Sequence, residues 1–218
     1  MNRLIGIVLI VISAASFGTL AIFGRFAYAD GLDTFTLLFL RFGFAAILMA
    51  GLLIFRRERL PRGRVFWQLA GMGGLGYVGQ SFCYLSAIRY ASPGLVALLL
   101  YLYPFFVAIL SAIFLHEKIT PPNWIALALA LAGTALTVGP QGGQLPGILL
   151  SIAAAAIYSV YIVVGAGVMK QVTALQSSLI IFASAAVVYG ILTAINGPHL
   201  PTDPTGWLAV AGMAVLAT

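Results

Sequence analysis

The sequence predicts an all-α fold, a polytopic transmembrane helix bundle, and three observations predict it. Of the 218 residues, 62% are hydrophobic and only 7% are charged, where a soluble domain carries roughly a quarter charged. The apolar residues fall into runs of the length that crosses a bilayer, about 20 residues each. The runs are joined by short connections, without the alternating segments that a membrane β-barrel requires. So few charges cannot coat a water-facing surface. Irregular backbone cannot face lipid, so the spans are helices and the bilayer is an expected partner. In a soluble chain the net charge of +6 would suggest nucleic acid. Here the positive residues sit between apolar runs and report orientation instead, so no nucleic-acid partner is expected. The one cysteine, Cys83, rules out an internal disulfide and a cysteine-based metal cluster.

The spans follow in order. Leu4–Tyr28 comes after Arg3; a cleaved signal peptide is the alternative, but the run is long for one and no cleavage pattern leads into a polar region. Thr34–Phe55 ends at a connection holding Arg56, Arg57, Arg59, Arg62 and Arg64. Val65–Ile88 contains Gly71-Met72-Gly73-Gly74-Leu75-Gly76, which fits G-x-G-x-x-G literally. A dinucleotide site needs a strand before those glycines, and a basic loop precedes them instead. Gly76, Gly79, Cys83 and Ala87 read as a small-residue stripe for close helix packing. Pro93–Leu115 follows a tight turn and carries Pro104. Asn123–Val138, Leu145–Met169 and Ala174–Ile195 complete seven spans, and an eighth begins near Thr205 and stops at Thr218. With the five-arginine connection in the cytoplasm, Arg3, Lys118 and Lys170 fall on the same side and only Arg89 lies in an outer loop. A cytoplasmic N-terminus in the cytoplasmic (inner) membrane is expected.

Gly6-Ile7-Val8-Leu9 through Gly24 aligns with Gly147-Ile148-Leu149-Leu150 through Gly165 at a constant offset, placing Phe17 on Tyr158. Five spans separate the copies, and an odd number inverts the second one. Inverted five-helix repeats put a site near the midplane between the halves. The expected domains are residues 1–139 and a partial second repeat, residues 145–218. Two full repeats need ten spans, so a truncated chain is expected; a short terminal helix is the alternative.

Gly79-Gln80, Tyr84, Ala87-Ile88-Arg89-Tyr90, Ser92-Pro93, Pro104 and Leu115-His116-Glu117-Lys118 resemble the EamA domain of the drug/metabolite transporter superfamily. Phe17-Gly18-Thr19 and Leu40-Arg41-Phe42 resemble that family's first two helices, and Gly133 its fifth. The resemblance implies ten helices in two inverted halves, cytoplasmic termini, and movement of a small-molecule substrate, often outward. Amino acids or related solutes moved by alternating access are the expected cargo and mechanism. A membrane assembly subunit and a lipid-modifying enzyme are the alternatives. The enzyme reading lacks a histidine or carboxylate cluster at one interface, so no enzyme activity and no cofactor are expected.

Residues that can carry a site are polar ones inside spans. Pro104 cannot donate to the helix ladder and crowds the carbonyl of Leu100, which makes it a hinge or a static kink. Tyr101 and Tyr103 flank it about 200° apart around the helix, so at most one of them faces a central cavity; Tyr101 is favoured, with helix–helix hydrogen bonding as the alternative. Gln80 and Tyr84 share a face four residues apart and either bind substrate or tie helices together. Ser16, Thr19 and Tyr158 complete the candidate substrate-binding set. Arg41 lies inside the second span, where a charge marks a functional site by default, with snorkelling as the alternative. For Arg25, nearer its span's end, snorkelling is favoured. Glu117 is a candidate gate partner for the arginine-rich connection. No Asp or Glu lies mid-span, and His116 and His199 sit in separate loops, so neither proton-coupled exchange through a buried carboxylate nor a metal site is expected.

Overall fold

A computed structural model describes residues 3–114, 121–138 and 142–216 of the protein. Helices α1 (Arg3–Gly18) and α2 (Leu20–Ala29) form the first span, broken at Thr19, whose hydroxyl donates to the Ser16 carbonyl (2.6 Å). Helix α3 (Thr34–Phe55) begins where Asp33 caps it, accepting from the backbone N–H of Phe35 (2.8 Å) and Thr36 (3.2 Å). That cap satisfies donors that have no partner inside the helix. Helix α4 (Arg64–Gly71) runs through a π-helical segment, Met72–Tyr77, into α5 (Val78–Ala87). The glycine-rich run is therefore continuous helix inside a span, wound one residue wider per turn.

Ser92 caps α6 (Pro93–Leu100), with Pro93 in the first turn, where a missing N–H costs nothing. The span breaks at Tyr101–Leu102 and resumes as α7 (Tyr103–Phe114). Helices α8 (Pro121–Val138), α9 (Leu145–Val168), α10 (Ala174–Asn196) and α11 (Pro204–Leu216) follow. Thr173 and Gln176 form a capping box at the start of α10. Five stretches are individually long and apolar enough to cross a membrane: Gly6–Ala29, Thr34–Phe55, Pro93–Phe114, Leu145–Gln171 and Ala174–Asn196. The fold is an all-α multi-pass membrane bundle.

The connections sort to two ends. At one, Thr173 Oγ1 donates to Glu58 (2.7 Å) and Gln176 Nε2 donates to the Arg59 carbonyl (2.7 Å). At the other, Thr202 Oγ1 donates to Asp30 (2.9 Å) and His199 Nδ1 lies 3.6 Å from Asp33. A short antiparallel bridge also joins Ala91 to Gly143 there. Helices α3 and α10 are thereby pinned antiparallel at both ends, and they form the most extensive helix pair in the bundle. Around them α5 packs on α9, α2 on α11, and α7 on α9.

Candidate functional site

The polar interior is built on α3. Arg41 is only 2% exposed. Its guanidinium stands 4.8 Å above the Phe42 ring, with Tyr77, Tyr189 and Tyr84 its near neighbours. A wholly buried guanidinium is costly unless its donors are satisfied, and aromatic faces and hydroxyls are suitable company. Tyr77, Gln80 and Tyr84 recur at spacings of three and four residues, which places them along one face of the π–α5 rod. Gln80 and Tyr84 are both buried. Tyr189 comes from α10, donates to the Val78 carbonyl (2.6 Å), and has its oxygen 2.9 Å from Ser81 Oγ.

Aromatic rings continue from this cluster through the bundle. Phe42 stacks on Tyr189 (centroids 5.8 Å apart) and meets Tyr77 edge-on (5.4 Å). Tyr77 contacts Tyr161 (5.6 Å), Tyr161 stacks on Tyr158 (6.0 Å), and Tyr158 meets Tyr103 edge-on (5.0 Å). The string crosses from α3 and α10 through α9 to α7. It joins a cation to a row of faces that accept flat or apolar groups, with phenol hydroxyls along the way.

Arg41, Gln80 and Tyr84 belong to this interior, and Tyr158 belongs to its aromatic extension. On the fourth span it is Tyr103 that touches Tyr158, while Tyr101 is half-exposed at the helix break and within electrostatic reach of Tyr84. Ser16 and Thr19 lie instead at the α1–α2 break, bonded to one another. Pro104 is the second residue of α7, just past the interruption. Glu117 lies outside the described residues. Sequence reasoning did not single out Tyr77, Tyr161, Tyr189 or Phe42. Tyr158 and Tyr161, three apart on one helix face, were the available signal. Among the described residues no three His, Cys, Asp or Glu side chains come together as a metal site.

A helix bundle with a cation, an amide and a row of aromatic rings inside the membrane is a multi-pass membrane protein with a polar interior. Residues 4–139 match the EamA-like transporter family, and the chain belongs to that family. It is similar to the aromatic amino acid exporter YddG of Ancylobacter novellus, 28% identical over 152 residues, which cover 66% of this chain and 52% of that one. It is also similar to protein LicB of Haemophilus influenzae, 30% identical over 159 residues, 71% of this chain and 54% of that one. The chain thus spans about half the length of these curated relatives. A crystal structure of another protein, 23% identical, superposes with a TM-score of 0.69 over 95% of this chain and 75% of its own; at that identity the likeness shows the fold.

Proposed function

We propose that the protein moves small carboxylate-bearing metabolites, amino acids or related solutes, out of the cell across the cytoplasmic membrane by alternating access. The observation that carries this reading is Arg41, buried among Tyr77, Tyr84 and Tyr189 at the head of the aromatic string. A guanidinium is the natural partner of a carboxylate, and the rings beyond it suit an apolar or flat side chain. Gln80 and Tyr84 supply donors for the remaining polar groups of the solute. The name of the Ancylobacter relative, an aromatic amino acid exporter, agrees with that division of labour.

Two repeats, residues 1–139 and 145–218, rock against one another in this reading. Its support is that the packing pairs keep their form when the repeats are exchanged. The second spans pair with each other (α3 with α10), and the third span of each lies on the first of the other (α5 with α9, α11 with α2). A cytoplasmic N-terminus is supported by charge. One end of the bundle gathers Arg56, Arg57, Arg59, Arg62, Arg64 and Lys170, whereas Asp30, Asp33 and Asp203 lie at the other.

The test is uptake of a panel of radiolabelled amino acids and related carboxylates into proteoliposomes. Arg41→Gln is expected to abolish saturable uptake, while Arg41→Lys, which keeps the charge and loses the planar fork, retains a weakened part of it. Wild-type rates in Arg41→Gln, or preference for solutes without a carboxylate, would refute the assignment.

A further inference from the structure

At the bundle end opposite the arginine-rich connection, a cavity of about 550 Å³ is lined by Arg25, Arg89, Tyr90, Ser92, Gly143 and Gln144, among others. Its floor is backbone. The Gln144 N–H donates to the Tyr90 carbonyl (2.9 Å) and the Ser92 N–H to the Gly142 carbonyl (3.2 Å). The approach is close: a Cβ on Gly147 would stand 3.0 Å from the Tyr90 carbonyl carbon. Two arginines therefore line one cleft. Arg89 packs over the Tyr28 ring at 5.3 Å. Of the carboxylates at this end, Asp30 holds Thr202 and Asp203, while Asp33 caps α3 through Oδ2 and leaves Oδ1 without a hydrogen bond beside a neighbouring cavity that Arg89 also lines. Among the described residues neither Arg25 nor Arg89 forms a salt bridge.

Like charges gathered in one cleft repel unless an anion sits between them. Paired arginines present planar forks that match phosphate oxygens two at a time. Helices α6 and α9 both begin at this cleft, and the positive ends of their dipoles add to the same field. The setting selects the ligand. Arg25 is four residues short of the end of α2, about 6 Å below it at 1.5 Å per residue, in the last turns of the apolar span Gly6–Ala29, within reach of a headgroup for a snorkelling side chain. Ile22 and Phe26, four residues apart on α2, are 54% and 60% exposed. Ile22, three residues deeper than Arg25, offers an apolar surface for an acyl chain.

We propose that this cleft is a phosphate-binding site, with Arg25 and Arg89 clamping the phosphate of an anionic phospholipid whose chain runs down past Ile22. The site is separate from the Arg41 interior and stands whether or not that interior binds a carboxylate.

The experiment is thermal unfolding of the full chain in detergent micelles. Each titration uses one of three probes: dioleoyl phosphatidylglycerol, dioleoylglycerol (the same chains without phosphate), or inorganic phosphate at constant ionic strength. Phosphatidylglycerol is expected to raise the melting temperature, and dioleoylglycerol is not. Arg25→Gln and Arg89→Gln are each expected to raise the half-saturating lipid concentration about tenfold, the loss of one charge-assisted contact. Arg57→Gln, at the opposite end, is expected to leave it unchanged. Arg25→Lys and Arg89→Lys keep the charge and are expected to fall between wild type and the glutamine variants. A response to inorganic phosphate with the same arginine dependence assigns the site to the free anion as well as the headgroup. A phosphatidylglycerol response that survives in the Arg25→Gln, Arg89→Gln double variant, or that dioleoylglycerol reproduces, overturns the proposal.

Discussion

The third and fourth spans are both irregular near their middles, in opposite ways. In the third, the π-helical segment Met72–Tyr77 is packed against α10 and α9, while Leu75 faces out. Gly73 lies so close to α10 that a Cβ there would sit 2.5 Å from the Ile181 carbonyl oxygen. Ser81 Oγ donates to the Tyr77 carbonyl (2.6 Å) and Tyr189 to the Val78 carbonyl (2.6 Å), so side chains satisfy backbone groups at the segment's end. In the fourth span, no such clamp holds the break at Tyr101–Leu102 among the described residues. Tyr101 is 50% exposed, and α7 beyond it has no fully buried residue. Both spans carry aromatic rings of the interior string. The comparison teaches that an irregularity anchored by cross-helix hydrogen bonds fixes the site, whereas one bounded by proline and left loose can let a helix swing.

The sharpest way to break this contrast is Gly73→Ala. The new methyl must displace the α10 backbone, at an expected cost of about 3 kcal/mol, read as a large fall in melting temperature. Retention of the wild-type melting temperature would mean that α10 is not held there. Tyr189→Phe removes the donor to Val78 and leaves that carbonyl without it; a loss of about 1–2 kcal/mol is expected in denaturant titration. No change would show that the π segment does not depend on the clamp. Pro104→Ala restores a backbone donor opposite Leu100. Slower solute uptake with an equal or slightly higher melting temperature is expected, and unchanged uptake would make the break static. Gly79→Ala is the internal control on the same rod. Its Cβ would meet Ile157 Cδ1 at an ordinary 3.5 Å, so a change within about 0.5 kcal/mol is expected.

The spans were legible because length and hydropathy determine them, and their starts at Thr34, Pro93, Leu145 and Ala174 follow from the caps and prolines written beside them. Three things were not legible. The π segment reads in sequence as three glycines in an apolar run, and hydropathy has no term for helix winding. The choice between Tyr101 and Tyr103 assumed one continuous helix phase, which the break at Tyr101–Leu102 removes. The aromatic string joins residues from five elements, α3, the π segment, α7, α9 and α10. One sequence shows which of them share a helix face but not which faces meet. Arg41 was legible as exceptional because any buried charge is; that it meets Tyr77, Tyr84 and Tyr189 was not, since all three lie on other spans.

The antiparallel pinning of α3 against α10 has a consequence for biosynthesis. Tyr189 follows Arg41 by 148 residues. At about 5–20 residues per second, Arg41 enters the bilayer roughly 7–30 s before the tyrosine that shields it has been made. During that interval the guanidinium must reach toward headgroups or shelter against Tyr77 and Tyr84 of the next span. The nascent chain is therefore most exposed to membrane quality control in the window between translation of α3 and insertion of α10.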